Sequence, residues 1–427
     1  MTSTGTTASR PRRLHAGVAA AAALALVLTA CSSKASDGEG GVDDEGVAMG
    51  PGVTEDTVTV GLMTDMTNVY AALGKSLTQA QQLYFQQVNE DGGICGRQVE
   101  VVVRDHGYDV QQAVANYTEI SSDVAAFPQF LGSPMVMAVK DRIGEDHVLT
   151  IPQAWSTALL GSQYIQVTGT TYDVDMINAV QFLMEDHGIE SGDAIGHVYF
   201  EGDYGESALH GAVYAAETEG IQLVEQRITS SDTDMTAAVS ALEDSDVDAV
   251  LMSAGPEQSA SLASVAAARG MDVPIVASNS GFAPQLLETP AAEPLLENFY
   301  SMNAGLPIAA DVDEVQRLAD DYSAAYPEDP LDTAVISGYS SAVLIGDALR
   351  TACENGDLTR DGITSAHRSQ SQYDNPYGVD MDLSIWDASA ARQSHVLKPD
   401  ADAVGGLVVH KEAFGSEMLE NYVSPVG

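Results

Sequence analysis

The chain has 427 residues, 45% of them hydrophobic and 19% charged, which is enough apolar material for large cores at a length that suits two domains of ordinary size. Its 18 basic residues face 62 acidic ones, a net charge of -44, so the acidity reads as a solvated shell that repels nucleic acid and anionic lipid and argues against a nucleic-acid partner.

Arg10, Arg12 and Arg13 lead into AGVAAAAALALVLTA, residues 16–30, a cationic region followed by an apolar one of signal-peptide length. A bilayer span needs roughly 20 apolar residues, so this run is short for a membrane helix. Leu28, Thr29, Ala30 and Cys31 resemble the lipobox of bacterial lipoproteins. That resemblance implies a signal peptide over residues 1–30, cleavage before Cys31, a diacylglyceryl group on its sulfur, and anchorage to the outer face of the cell membrane. Each buried methylene contributes about 0.8 kcal/mol, so two or more acyl chains hold firmly. A plain secretory signal with an accidental cysteine is the alternative, and Arg12 and Arg13 leave Sec and twin-arginine export both open. Loss of the three leader arginines leaves 15 basic residues against 62 acidic, a net -47. Residues 31–53, rich in Gly, Ser, Asp and Glu, predict a flexible acidic tether. A coil of about 20 residues spans roughly 25 Å root-mean-square.

Beyond Thr54, short β-branched runs alternate with amphipathic helices. TVTVGLM (57–63) reads as a strand, and Leu77, Ala80, Leu83, Tyr84 and Val88 repeat at helical spacing until Gly92 and Gly93. QVEVVVR, AAFPQFL, HVLTI, AIGHVYF, IQLVEQRI, VDAVLMS, VPIVAS and ENFYSMN continue the strand series, mostly with helix-length segments between them. The pattern predicts an α/β fold of parallel sheets with right-handed crossovers. After Tyr377 the helical period disappears, and YGVDMDLSIWDASAARQSHVLKPD with GGLVVHK predicts edge strands.

NEDGGICGRQVEVVVRDHGYDVQQAVANYTEI (89–120) and FEGDYGESALHGAVYAAETEG (200–220) resemble type I substrate-binding proteins of ABC transporters, the branched-chain amino acid and amide class. VTEDTVTVGLMTDMTNVYAALG and GYSSAVLIGDAL (338–349) extend the likeness over the mature chain. The resemblance implies two doubly wound parallel-sheet lobes joined by three crossovers, near Gly169, Asn303 and Tyr377, with a ligand between them. Lobe 1 is then residues 54–168 plus 304–377 and lobe 2 residues 169–303 plus 378–427. It also implies a monomer that hands a small molecule to an ABC permease.

Ligands of open parallel sheets sit beyond the carboxyl ends of strands, so the segments after each strand are the candidates. Thr64, Asp65, Asn68 and Tyr70 follow the first strand, and ligands of the family are often covered by an aromatic near Tyr70. Gly132, Ser133 and Pro134 suit a helix start with Ser133 as cap, either a plain cap or a dock for a carbonyl or anionic group. After HVLTI come Ala154, Trp155 and Ser156, where amino-acid-binding relatives use a small residue and a Thr hydroxyl; Trp155 stands in the Thr place, as pocket wall or core aromatic, and Ser156 offers a hydroxyl. Tyr204 resembles the tyrosine that closes over ligand from lobe 2. Asn279 and Ser280 are neutral where those relatives carry an acid for the ammonium group, which points away from an α-amino acid and toward an amide, a carboxylate or an aromatic compound. Cys95 and Cys353 both fall in lobe 1, and an exported chain invites their disulfide; two buried thiols are the alternative.

No catalytic constellation assembles. GESAL (205–209) imitates a nucleophile elbow but lacks its second glycine, and Ser207 falls inside a helix. There is no HExxH, paired CxxC or phosphate loop, so no metal and no cofactor is expected. The expected role is a lipid-anchored extracytoplasmic receptor that delivers a small polar molecule to a permease; a ligand sensor for a membrane partner, or an exported hydrolase, are the alternatives.

Overall fold

The computed structural model describes residues 41–425. The expected signal peptide, Cys31 and the first part of the expected tether lie outside the described residues.

Lobe 1 opens with β1 (Ala48–Met49) and continues through β2 (Thr57–Thr64), α1 (Ala71–Glu90), β3 (Gln98–Asp105), α2 (Val110–Ile120), β4 (Ala126–Leu131), α3 (Ser133–Met137), α4 (Lys140–Glu145) and β5 (Leu149–Gln153). Lobe 2 follows as α5 (Tyr172–His187), β6 (Ala194–Phe200), α6 (Asp203–Glu219), β7 (Gln222–Ile228), α7 (Thr236–Asp244), β8 (Ala249–Ser253), α8 (Pro256–Arg269), β9 (Ile275–Ala277), α9 (Ala292–Asn298) and β10 (Phe299–Asn303). The chain returns to lobe 1 with α10 (Asp313–Ala325), α11 (Thr333–Glu354), β11 (Asp357–Leu358) and α12 (Arg360–Arg368), then finishes in lobe 2 with β12 (Ser394–Pro399) and β13 (Leu407–Phe414).

The first sheet runs β3-β2-β4-β5, all parallel. The second runs β13-β12-β10-β9-β8-β6-β7, parallel except for antiparallel β12 and β13. Strands β4, β6 and β8 are buried along their whole length, as parallel sheets covered by helices on both faces demand, whereas β7 at the edge alternates with exposed positions. In α1 the residues Leu73, Leu77, Ala80, Tyr84 and Val88 form the buried stripe. The chain after it turns on Gly92 and Gly93, at φ of 103° and 79°. Strand order reverses between β2 and β4 in one sheet and between β6 and β8 in the other, so each lobe has a crevice at its carboxyl edge.

Two expected boundaries are corrected. The tether was expected to run to residue 53, but residues 41–53 are ordered. Arg97 pairs with Asp43, both side chains almost fully covered, β1 pairs with β11, and Val47 and Val53 enter the core of lobe 1. The acidic composition concealed those few anchors. The tail was expected to join lobe 2 from residue 378, yet Val379, Met381, Leu383, Ala390 and Ala391 pack into the core of lobe 1, and the chain enters the second sheet only at Ser394. Those residues have no helical period because they form a covering loop.

The linking segments are braced against one another. Ala391 N–H donates to Gly169 O at 3.0 Å, and Val379 N–H donates to Ala304 O at 2.8 Å. Asp175, in the first turn of α5, accepts from Thr170 Oγ1 and Ser394 Oγ, both at 2.6 Å, and so joins the first link to the last. Burial pushes the Asp175 carboxyl up to about 7 from an ordinary 3.8, against the pull of those two donors. Between about pH 4 and pH 7 the unfolded chain has released this proton and the folded chain retains it, so the group's contribution to stability falls as pH rises. Asp175→Asn removes the titration: urea unfolding is expected to show the variant gaining on wild type from about pH 4 to pH 7, by no more than about 4 kcal/mol, with a constant difference above. A difference independent of pH refutes the assignment.

Cys95, in the turn before β3, and Cys353, near the end of α11, are joined, with Cα atoms 6.5 Å apart and a sequence separation of 258. The bridge ties together the two chain segments of lobe 1 across the whole excursion through lobe 2. Thiol labelling of unfolded, unreduced protein is expected to modify neither cysteine. The Cys95→Ser, Cys353→Ser double variant is expected to lose about 2–5 kcal/mol in denaturant unfolding.

Candidate functional site

The carboxyl edges of the two sheets face each other across a narrow cavity lined from both lobes. Lobe 1 supplies Tyr70 after β2, Tyr108 after β3, Gly132 and Ser133 after β4, and Gln153 and Trp155 from the end of β5. Leu73 and Leu77 of α1, and Thr333, Ala334 and Ser337 of α11, complete that side. Lobe 2 supplies Tyr204 after β6, Asn279 and Ser280 after β9, and Asn303 at the end of β10, with Tyr172 from the start of α5.

Each key side chain is held from behind. Asp65 is fully buried and its carboxylate accepts from the N–H groups of Thr67, Asn68 and Tyr70, at 3.1, 2.8 and 2.9 Å, which fixes the loop that presents Tyr70. Gly74 lets α1 cross that loop, because a Cβ there would stand 1.9 Å from Asp65 O. Tyr108 N–H donates to His106 Nδ1 at 3.1 Å, and its ring meets Tyr70 edge-on, with centroids 5.1 Å apart. Across the cleft, the Tyr204 hydroxyl bonds the hydroxyls of Ser278 and, at 2.9 Å, Ser280, while its ring lies 4.4 Å from Tyr172. Trp155 stands edge-on to Tyr172 at 6.1 Å. Gly205 seats Tyr204, since a Cβ there would come within 1.8 Å of Phe200 O.

Among the described residues no charged side chain lines this cavity. The four tyrosines are shielded from water, and burial raises every one of their hydroxyls, Tyr204 to about 12, so they act as neutral hydrogen-bonding groups. Three buried polar atoms on the wall have no partner within the protein: Ser133 Oγ, Gln153 Oε1 and Asn279 Oδ1. Such atoms cost free energy unless a ligand or water meets them.

Of the residues singled out from the sequence, Tyr70, Ser133, Trp155, Tyr204 and Asn279 come together around this cavity. Ala154 and Ser156 do not. Ala154 packs in the core of lobe 1, and Ser156 Oγ donates to Asp203 O at 2.8 Å, a bond between the lobes. Ser133 is not the cap of α3; Gly132 takes that place at φ 95°, which leaves Ser133 Oγ free of the helix. Ser207 lies in α6, buried, with its Oγ accepting from Thr157 N–H at 3.0 Å, which is a structural bond rather than a nucleophile's setting. Tyr108, Tyr172 and Gln153 were missed. Among the described residues no group of three or more metal-ligating side chains assembles, and no helix is long and apolar enough to cross a membrane.

The sequence model of the family described as Periplasmic binding protein matches residues 57–402. The chain belongs to that family. Its neighbours are the type I, Leu/Ile/Val-binding-protein-like members. A solved fatty acid ABC transporter substrate-binding protein from Thermomonospora curvata is 54% identical, covers 90% of this chain and 99% of its own, and superposes with a TM-score of 0.89. A branched chain amino acid ABC transporter protein from Thermus thermophilus, solved with bound valine, shares the fold at 19% identity, with a TM-score of 0.77 over 86% of this chain and 99% of its own. The leucine-, isoleucine-, valine-, threonine- and alanine-binding protein of Pseudomonas aeruginosa is 24% identical over 308 residues, 70% of this chain and 79% of its own. Family members of this kind are transport binding proteins of the extracytoplasmic space.

The close approach at Gly205 yields a paired test. Gly205→Ala is expected to lose about 1–3 kcal/mol of stability by overpacking. Gly144→Ala, in α4 with no atom within 4 Å of the added methyl, is expected to be neutral or to gain up to about 1 kcal/mol. Thermal unfolding of both variants checks the contrast.

Proposed function

We propose that this protein is the extracytoplasmic receptor of an ABC importer, moored by a lipid on Cys31, and that its cargo is a fatty acid or a closely similar alkyl compound with one small polar end. The observation that carries this reading is the uncharged cavity wall of tyrosine, tryptophan and leucine between the lobes. An α-amino acid brings two charges into the cleft, and burying a charge without a partner costs far more than burying an alkyl chain gains. The neutral form of a monocarboxylic acid has one O–H, which the unpartnered amide oxygen of Gln153 or Asn279 can accept, and a carbonyl to which the Ser133 hydroxyl can donate, and its chain suits the aromatic walls. The relative at 54% identity, named as a fatty acid binding component, supports the same cargo class. Delivery would follow closure of the lobes over ligand, with the permease recognising the closed form. The chain has no catalytic arrangement at Ser207, which favours carriage over hydrolysis.

Thermal shift and calorimetry on delipidated protein test the cargo. Fatty acids of medium and long chain are expected to raise the melting temperature, and leucine, valine and alanine to leave it unchanged. Stabilisation by the amino acids with no response to any fatty acid overturns the proposal.

A further inference from the structure

The cavity adjoins two further spaces, and the two differ in chemistry. Toward the links between the lobes it shares Trp155, Asn279, Asn303 and Ser337 with a second space, whose further walls include Ser340, Ser341 and Asn375. Toward the outside it shares Tyr70 and Leu73 with an open groove between lobe 1 and the start of α8, walled by Ala260, Ser264, Leu286 and Ala291, with Glu257 and Gln285 also on its wall. Amide and hydroxyl groups therefore gather at the hinge end, and a mainly apolar wall lies past Tyr70.

We propose that the ligand lies with its polar end toward the hinge and its alkyl chain toward the mouth, and that the outer groove is a subsite for the distal part of a long chain, entered past Tyr70. The inference rests on the alkyl-cargo reading above and adds direction and chain-length preference to it. The argument for the polar end is that Gln153 Oε1 and Asn279 Oδ1 are buried acceptors without a donor at the inner side, which the O–H of a neutral carboxylic acid can supply, and Gln153 is oriented by its Nε2–H bond to Ser341 Oγ at 2.7 Å. The argument for the chain is continuity. Tyr70 and Leu73 wall both spaces, so a chain longer than the inner cavity holds would cross from one to the other over shared apolar side chains. Tyr70 stands at the junction with its backbone tied to Asp65 and its ring against Tyr108, so it is the residue that sets the width of the passage.

Two experiments test the proposal independently. In the first, the affinities of octanoate and palmitate are measured for wild type, Ala260→Trp and Ser264→Trp. Each methylene kept out of an apolar site weakens binding about fourfold, so palmitate is expected to bind at least about tenfold more weakly to both variants, with octanoate within about twofold of wild type. Retained octanoate binding also shows that the variants fold and close. In the second, Trp386→Phe leaves Trp155 as the sole tryptophan, and its fluorescence is quenched with palmitate brominated at carbon 2 or at the chain end. The carboxyl-end bromine is expected to quench more strongly. Undiminished palmitate binding in both groove variants overturns the subsite, and stronger quenching by the chain-end bromine overturns the orientation. Wild type that binds no fatty acid of any length overturns the cargo reading, and this inference with it.

Discussion

Four tyrosines, a tryptophan and Leu73, Leu77 and Leu131 meet between the lobes with no charged side chain among them, and that neutrality governs what the protein can hold. A buried ion without a partner shifts its protonation or stays outside, so the wall selects by shape, apolar area and a few neutral hydrogen bonds. Charge is nevertheless near at hand. Asp65 lies directly behind Tyr70, yet backbone N–H groups occupy its oxygens and it does not line the cavity. The acid shapes the site through the loop it holds.

The neutral wall depends on the two sheets being brought edge to edge, and the linking segments control that approach. Asp175 joins the first and last of them through Thr170 and Ser394, while the pairing of Ala304 with Val379 secures the middle one. Neighbouring contacts cross the cleft directly, Ser156 Oγ to Asp203 O and Thr157 N–H to Ser207 Oγ. These bonds hold the start of α6, and with it Tyr204, against the segment that carries Trp155. Hinge bracing and site assembly therefore share the same short stretch of chain, residues 153–175.

The strand series and the carboxyl-edge location were legible because parallel strands announce themselves as short apolar runs, and their ends are where loops gather. Tyr70, Ser133, Trp155, Tyr204 and Asn279 follow from that rule. Ala154 and Ser156 fail because the chain there is extended and successive side chains alternate, so that Gln153 and Trp155 face the cavity and their neighbours face away. Gln153 and Tyr108 both lie just past expected strands and obey the same rule, but neither was among the residues singled out. Tyr172 opens a helix after a link, with no strand before it, and Leu73 and Leu77 belong to a helical stripe that looks the same whether it faces a core or a ligand. The order of residues 41–53 was invisible for a different reason, since one buried ion pair and two valines are lost in an acidic, glycine-rich composition.

Those same anchors all fall in lobe 1. Asp43 with Arg97, β1 with β11, and Cys95 with Cys353 converge where the turn before β3 meets the end of α11, at the amino edge of the first sheet. The cavity lies at the carboxyl edge of that sheet. Residues 41–53 are thus joined to lobe 1 at the edge away from the ligand. A covalent bridge, an ion pair and a short parallel ladder tie that lobe together, while lobe 2 meets it through three links, direct hydrogen bonds and the packing of Tyr70, Leu73, Leu77 and Leu131 against its core. Lobe 2 sets Tyr204, Asn279 and Ser280 opposite a wall that belongs to the lobe holding residues 41–53.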